Sequence, residues 1–403
     1  MKILQLCKKF PYPLKDGESI AVTSLSRAFH ELGSEVTLLA MNTHKHYFPI
    51  DQLPAPFSYY KQVQAVPVDN RVKPWEALKH LFKPGSYHIS RFVSQAFSDR
   101  LAQLLRAHQF DVIQLETPYL SPYLPLIRQH SSALVSMRAH NVEHEIWGRI
   151  VQHTRPGLKR CYLSHLTGRL RAYEVAQLQG YDYLAAITER DLQQFRQLGY
   201  EGAGSAVPIG IDCSRYHPDY GSYQRPVSFS FIGSLDWMPN QEGLKWFLDS
   251  VWGPLRQAHP TAELHVAGRN TPDWLTRLRR PGVKVHGEVP SASQFINRHS
   301  VMVVPLLAGS GMRAKILEGM ALGKAVLTTP VGLEGIAAKD QQEVLIAEGP
   351  EGFLRQAQYI FGAGPRLEQM GQAARRLVQE RYDSREVARG LLKAYRALNV
   401  EAL

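Results

Sequence analysis

The sequence predicts an α/β protein made of two doubly wound, Rossmann-like domains that face a cleft. Three observations carry this. Short apolar runs alternate with longer amphipathic stretches along most of the chain, the rhythm of strand–helix–strand units around a parallel sheet. The rhythm breaks at residues 208–226, PIGIDCSRYHPDYGSYQRP, a stretch rich in Gly, Pro, Ser and Tyr, and then restarts. A length of 403 residues suits two such domains better than one. The expected organisation is a domain at 1–207, a linker at 208–226, a second domain at 227–380, and a C-terminal helix at 381–403 that crosses back to the first.

The elements follow in order. Residues 2–7 read as a buried strand, 20–32 as a helix with Gly33 as its C-terminal cap, and 35–41 as the next strand. Further strands are expected at 63–66, 111–115, 133–137, 183–187 and 204–208. The second set falls at 227–232, 262–267, 283–286, 301–305, 325–328 and 344–347. Residues 352–400 are helical in pattern. The stretch 47–92 reads as irregular, with six prolines. Within it Trp75, Leu78, Leu81 and Phe82 form an apolar face beside Lys73, Lys79 and Lys83, suited to an anionic bilayer or an amphiphilic substrate.

Composition narrows the function classes. Apolar residues at 44% and charged residues at 21% exclude a disordered chain, a coiled coil and a fibre. No apolar run reaches the roughly 18 residues of a membrane span, and the N-terminal apolar stretch is too short for a signal peptide. A cytoplasmic location is therefore expected, with peripheral binding at the inner membrane face. Three scattered cysteines do not make a disulfide framework or a thiolate zinc site. The net charge of +11 fits phosphate-bearing small molecules or an anionic membrane surface. Nucleic acid is not expected, because the basic residues are dispersed and no recognised module interrupts the pattern.

The strongest chemical signal is AGSGMRAKILEGMALGKAVLTTPVG, residues 308–332. A strand ends, a Gly-Ser-Gly turn follows, and a helix is expected to begin near Met312. Backbone N–H groups of Gly309, Ser310, Gly311 and Met312, with the positive end of the helix, make an anion site. Arg313 and Lys315 in the first helical turn oppose the helix dipole, and a bound diphosphate would offset that. Glu318, further along the helix, is placed to accept two hydrogen bonds from a ribose diol.

Here the sequence resembles a known family, the GT-B fold retaining glycosyltransferases of family four, also called glycosyl transferases group 1. The resemblance runs in order along nearly the whole chain. KFPYPLKDGESIAVTSLSRAFHELGSEVTLLA resembles the opening strand, glycine loop and first helix. FDVIQLETPYLSP and VSMRAHNVEHE resemble acceptor-domain strands that end at the cleft. VPIGIDCSRYHP is similar to the interdomain segment, FIGSLDWMPNQEGLKWF to the first donor-domain turn, and VMVVPLLAGSGMRAKILEGMALGKAVLTTPVGLEGI to the nucleotide-sugar signature.

The resemblance implies transfer of a sugar from a nucleotide-diphosphate sugar to a sugar or lipid-linked hydroxyl acceptor. It implies no cofactor and no metal, and a setting in polysaccharide or glycolipid synthesis. It places His140 over the donor sugar, Gly17 in the first loop, Gly233 and Gly287 beside the nucleotide, and Glu318 on the ribose. Glu116, closing its strand, is expected to contact acceptor. Two features depart from the family pattern. The first of its two signature glutamates falls on Ser310. The cations usual after the first donor-domain strand are missing from Gly233–Asn240, so Arg313 and Lys315 are expected to replace them, with Lys245 a weaker candidate. A non-catalytic nucleotide-sugar binder and a sugar-nucleotide epimerase of the same fold are the alternatives. The epimerase would draw on Glu116 and Glu143. His140-Asn141-Val142-Glu143-His144 also spells an inverted zinc-protease motif, but His140 directly follows a strand, so the two histidines are expected to point apart.

Overall fold

The computed structural model describes the chain except residues 15–16, 54–56, 74, 76–79, 81–84, 309–310 and 402–403, and except the side chains of residues 153, 400 and 401. The chain forms two compact units, Met1–Gly210 with Val387–Leu403, and Ile211–Glu386. Each is built on one parallel sheet.

The strands of the first unit are β1 (Lys2–Cys7), β2 (Glu35–Thr43), β3 (Tyr60–Val68), β4 (Val112–Leu115), β5 (Leu134–Ala139), β6 (Tyr183–Ala186) and β7 (Ala203–Ala206), in the order β3-β2-β1-β4-β5-β6-β7. Its described helices are α1 (Gly17–Glu31), α2 (Tyr87–Ser90), α3 (Gln95–Ala107), α4 (Leu124–His130), α5 (Glu143–His153), α6 (Leu158–Gln177) and α7 (Glu189–Gln197). Local chemistry fixes several ends. Ser94 Oγ accepts from Phe97 N–H and Thr188 Oγ1 from Asp191 N–H, capping α3 and α7. At the other end of α1, Gly33 N–H bonds His30 O and Ser34 N–H bonds Phe29 O, a Schellman pair.

The second unit repeats the plan. Its strands are β8 (Ser228–Ile232), β9 (Glu263–Ala267), β10 (Val283–Gly287), β11 (Val301–Val304), β12 (Ala325–Thr328) and β13 (Leu345–Ile346), ordered β10-β9-β8-β11-β12-β13. Its helices are α8 (Met238–Phe247), α9 (Gly253–Ala258), α10 (Asp273–Thr276), α11 (Ala292–Asn297), α12 (Ala314–Ala321), α13 (Gly349–Ala363) and α14 (Pro365–Arg381). The last helix, α15 (Ser384–Glu401), begins in the second unit, and from Val387 onward belongs to the first.

Alternation along the strands decides what each sheet face carries. In the first sheet Leu4, Leu6, Ile113, Leu115, Val135 and Met137 pack with Phe97 and Leu101 of α3 and Leu170 of α6. The opposite face carries Ile3, Cys7, Val112 and Leu134, covered by Val22 and Leu25 of α1 and by Val387, Leu391 and Tyr395 of α15. A Leu or Phe buried this completely contributes about 1.5–3 kcal/mol. The second core runs through Phe229, Phe231, Leu264 and Val303 to Phe247 and Phe353.

The expected bounds of three edge strands need correction. The stretch read as irregular contains β3, which is longer than the expected 63–66. It is an edge strand, and Lys61, Gln62 and Pro67 mask its apolar alternation. The edge strands β7 and β13 are shorter than expected. Of the amphipathic face read in 73–83, Leu78, Leu81, Phe82, Lys79 and Lys83 lie outside the described residues, whereas Trp75 is exposed. Among the described residues no helix is long and apolar enough to cross a membrane.

Candidate active site

In a doubly wound sheet the crevice lies beyond the carboxyl ends of the two strands where the winding direction reverses. That point is between β1 and β4 in the first unit, and between β8 and β11 in the second. The described site residues fall into two groups, one in each unit; most lie at these strand ends, whereas Gly287 ends the edge strand β10.

In the first unit a row of polar residues crosses the sheet. Gln5, Gln114 and Ser136 are register partners on adjacent strands, and all three are buried. Two residues further along, on the same face, come Glu116 and Arg138, and then His140. Glu116 is 0% exposed. Its Oε1 accepts from Gln5 Nε2 at 2.6 Å and Gln114 Nε2 at 2.5 Å. Its Oε2 accepts from His140 Nε2 at 2.9 Å and Arg138 Nη1 at 3.3 Å. Burial opposes ionisation here, but the Arg138 charge, the bond and charge of His140 and the Gln114 bond outweigh it and hold the carboxyl down to about 2. Glu116 is therefore a carboxylate, His140 Nε2 carries a proton, and in the neutral ring Nδ1 is left as the acceptor.

The row is braced from both covering helices. Ser26 Oγ on α1 donates to Gln5 Oε1 at 2.6 Å. Tyr395 on α15 lies 2.9 Å from Gln114 Oε1 and 2.8 Å from Ser136 Oγ. The expected acceptor contact of Glu116 is thus corrected. Its carboxylate is surrounded by four protein donors and has no accessible surface, so it holds His140 rather than a ligand.

The neighbouring acids and histidine are otherwise engaged. His144 Nδ1 and N–H both bond Glu174, which also accepts from Glu143 N–H, so one carboxylate caps the start of α5. Burial raises the Glu143 carboxyl, and Tyr119 Oη donates to it at 3.2 Å. His140 and His144 thus turn to different carboxylates, Glu116 and Glu174. Among the described residues no group of three His, Cys, Asp or Glu side chains is placed to hold a metal ion. Gly17 lies at the exposed start of α1.

In the second unit β8 ends at Ile232, and Gly233 follows it directly. A Cβ there would stand 2.8 Å from Asn240 Nδ2 and 3.4 Å from Lys315 Nζ, so glycine is what lets those side chains close over the strand end. Asn240 Nδ2 donates to Ser234 O at 2.8 Å, and its Oδ1 accepts from Lys315 Nζ at 2.6 Å. Burial lowers the Lys315 ammonium to about 7, the Arg313 charge pushes the same way, and Glu318 opposes. Gly311 has φ of +78°, a left-handed turn before the helix.

Helix α12 begins at Ala314, so Arg313 is its extended N-cap residue rather than part of the first turn. The Arg313 guanidinium lies 5.6 Å from the Trp237 ring centre. Glu318 Oε1 accepts from Tyr216 Oη at 2.9 Å, and burial raises its carboxyl.

Met312 is buried beside this group, Gly309 and Ser310 lie outside the described residues, and Lys245 is exposed near the far end of α8. Gly287 ends β10 with φ of +68° and accepts from Gly268 N–H. Gly233, Lys315 and Arg313 therefore gather at one strand end, with Glu318 on the same helix. Sequence reasoning missed Asn240, Tyr216, Arg138, Gln114, Glu174 and Tyr395. Arg138 and Gln114 carry a readable signal, polar side chains at alternate positions of otherwise apolar strands.

Comparisons with known proteins agree with this plan. Residues 226–362 match the family model described as glycosyl transferases group 1, and residues 16–210 match that of the glycosyl transferase 4-like domain. A Klebsiella pneumoniae relative, described as an uncharacterized 44.6 kDa protein in the cps region, is 24% identical over 176 residues. That match spans 40% of this chain and 44% of the relative. Among solved structures, a sucrose-phosphate synthase from Thermosynechococcus elongatus superposes with a TM-score of 0.70 at 16% identity, covering 100% of both chains. The Anabaena protein HepE, solved in complex with UDP, also gives 0.70, at 12% identity over 98% of this chain and 100% of its own. These likenesses establish the fold.

Proposed function

Since the chain belongs to the glycosyl transferases of group 1, we propose that it moves a sugar from a nucleotide-diphosphate sugar to a hydroxyl acceptor with retention of anomeric configuration. The observation that carries this reading is the pair of cations at the second sheet's reversal point. Lys315 is desolvated and held by Asn240, and Arg313 stands at the start of the same helix. Two cations and a helix N-terminus suit a diphosphate and offset the charge that develops as it leaves. Glu318 takes the ribose hydroxyls through its second carboxylate oxygen while Tyr216 holds the first. Gly287 and the backbone N–H groups of Gly311 and Met312 are assigned to the rest of the nucleotide sugar in this reading.

Within the first unit, His140 is the residue we propose for contact with a sugar. With Nε2–H committed to Glu116, Nδ1 accepts a hydrogen bond from a sugar hydroxyl and fixes the ring. In the reaction the bond from the anomeric carbon to the diphosphate oxygen breaks, and a bond to the acceptor oxygen forms on the same face. The acceptor's proton passes to the departing diphosphate, so no protein base is needed. Arg313 and Lys315 provide the positive charge without a metal, and no cofactor takes part. The rival epimerase chemistry needs acids beside the sugar, whereas Glu116 is wholly buried under His140. The position of a relative in a cps region favours an acceptor in polysaccharide or glycolipid synthesis; action at the cytoplasmic face of a membrane is part of the same proposal and rests on the net charge of +11.

Calorimetric titration with UDP, GDP, ADP and their sugar conjugates, in the presence of a chelator, tests the reading. It requires one base to bind, and its sugar conjugate to release nucleoside diphosphate once acceptor is added. Binding to none of them, or binding only when divalent metal is restored, would refute it.

A further inference from the structure

We propose that the tip of the α5–α6 helical hairpin is the element that docks on an anionic lipid bilayer. This deepens the membrane part of the preceding reading and depends on none of its chemistry. The hairpin starts beside His140. Glu174, near the far end of α6, caps the first residues of α5, so the two helices meet there, and residues 154–157 turn at the opposite end. At 1.5 Å per residue, the 11 residues of α5 put that turn about 16 Å along the helix.

Charge and exposure single out the tip. Between Ile146 and Tyr173 there are six cations and no Asp or Glu; Arg155, Lys159 and Arg160 lie at the turn itself, whereas Arg149 pairs with Glu145 and Arg169 and Arg171 lie towards the other end of α6. Leu158 is 91% exposed, the most of any large apolar side chain among the described residues, and Ile150 is 42% exposed. Helix α6 buries Leu166, Leu170 and Glu174; in its first two turns Tyr162 packs on the small buried cluster of Tyr87 and Leu166, while Leu158, Lys159 and Cys161 stay exposed. An exposed leucine at the start of a helix, next to Lys159 and Arg160 and just after Arg155, is the pattern of an interfacial anchor. The apolar side chain enters the boundary of the acyl region, and the cations stay among the phosphates. A soluble acidic partner would satisfy the charges but would leave Leu158 in water. Docked in this way, the hairpin roots the His140 end of the sheet near the surface that carries a lipid-linked acceptor.

Cys161 gives a direct readout, because it is exposed in the first turn of α6 while Cys7 and Cys213 are buried. The full chain, labelled at Cys161 with an environment-sensitive thiol dye, is mixed with phosphatidylcholine vesicles with and without phosphatidylglycerol. Unlabelled chain is sedimented with the same vesicles. The dye should shift to the blue, and the chain should sediment, only with the anionic vesicles, less so as salt rises. Leu158→Ser should suppress the shift. The combined change Arg155→Ser, Lys159→Ser and Arg160→Ser should lower vesicle affinity by about tenfold or more. These positions are exposed or only partly buried, and an unchanged melting temperature and unchanged UDP titration would show the variants folded. Equal binding to both vesicles, binding that survives the substitutions, or binding to duplex DNA or an acidic protein without vesicle binding would overturn the proposal. Failure of the UDP titration alone would leave it standing and strike the donor reading instead.

Discussion

Tyr395, on the last helix, lies 2.9 Å from Gln114 Oε1, and its hydroxyl hydrogen points into a buried relay. One hydroxyl cannot donate twice, so Ser136 Oγ donates to Tyr395, and Tyr395 donates to Gln114. This sets the Gln114 amide with its Nε2 toward Glu116, and so sets which ring nitrogen of His140 keeps its proton. Tyr395→Phe should strand two buried polar groups and cost about 1–3 kcal/mol. It should also slow transfer while leaving nucleotide affinity alone. Thermal melts and a separate measurement of kcat and Kd check both parts. A variant with wild-type melting and kcat would show the relay to be inert.

His140→Ala should reduce transfer by about a hundredfold or more and spare nucleotide binding, because the proposed function gives the ring a sugar hydroxyl and no part of the nucleotide. Initial rates at saturating donor, beside a calorimetric Kd for the nucleotide, separate the two. Retained transfer would make His140 a packing residue.

Glu116 ties stability to acid. Its carboxyl is depressed from an ordinary 4.5 to about 2 in the folded chain. Its contribution is complete above the unfolded value and is lost as pH falls through the window from about 4.5 to about 2. Glu116→Gln removes that slope and leaves Arg138 buried without a counter-charge, a loss of about 3–5 kcal/mol. Melting curves across this range should show the wild type losing stability steeply and the variant starting lower and falling less.

Lys315 should make donor binding sensitive to pH in the opposite direction. Its ammonium, near 7 in the free site, is half neutral at neutral pH. An incoming diphosphate favours the charged form, so binding takes up a proton above pH 7. Affinity should fall by at most about tenfold per pH unit. Calorimetry at pH 8 in buffers of different ionisation heat would detect the uptake. An enthalpy independent of buffer would exclude it.

Glu318→Ala should weaken nucleotide binding by about tenfold to a hundredfold, the worth of charge-assisted bonds to a ribose. Deoxyribose nucleotides should discriminate less between variant and wild type. An unchanged Kd would remove Glu318 from the donor site.

Much of the architecture could be read from residue patterns, because parallel strands buried on both faces announce themselves as apolar runs. The edges could not, and β3 shows why. With one hydrogen-bonding neighbour and Lys61, Gln62 and Pro67 in its span, it lacks the continuous apolar signal. The site was half readable. Glycines at strand ends and the Arg313–Glu318 stretch stand close in sequence, so their pattern survives. Asn240 and Lys315, or Glu318 and Tyr216, meet only after folding across 75 and 102 positions. No local periodicity reports such pairs. For Glu116 the sequence supplied an acid at a strand end. Only the four donors around it reveal that it faces inward.

The placement of α15 also orders the events of synthesis. One face of the first sheet takes its cover from Val387, Leu391 and Tyr395, residues that a ribosome adds after the whole second unit. Until they emerge, Gln114 and Ser136 lack their tyrosine and the apolar residues beside them are bare. The amino-terminal half therefore waits, incompletely packed, while the carboxyl-terminal half is made. A nascent chain halted before residue 387 would expose that sheet to chaperones however well its remaining helices had formed.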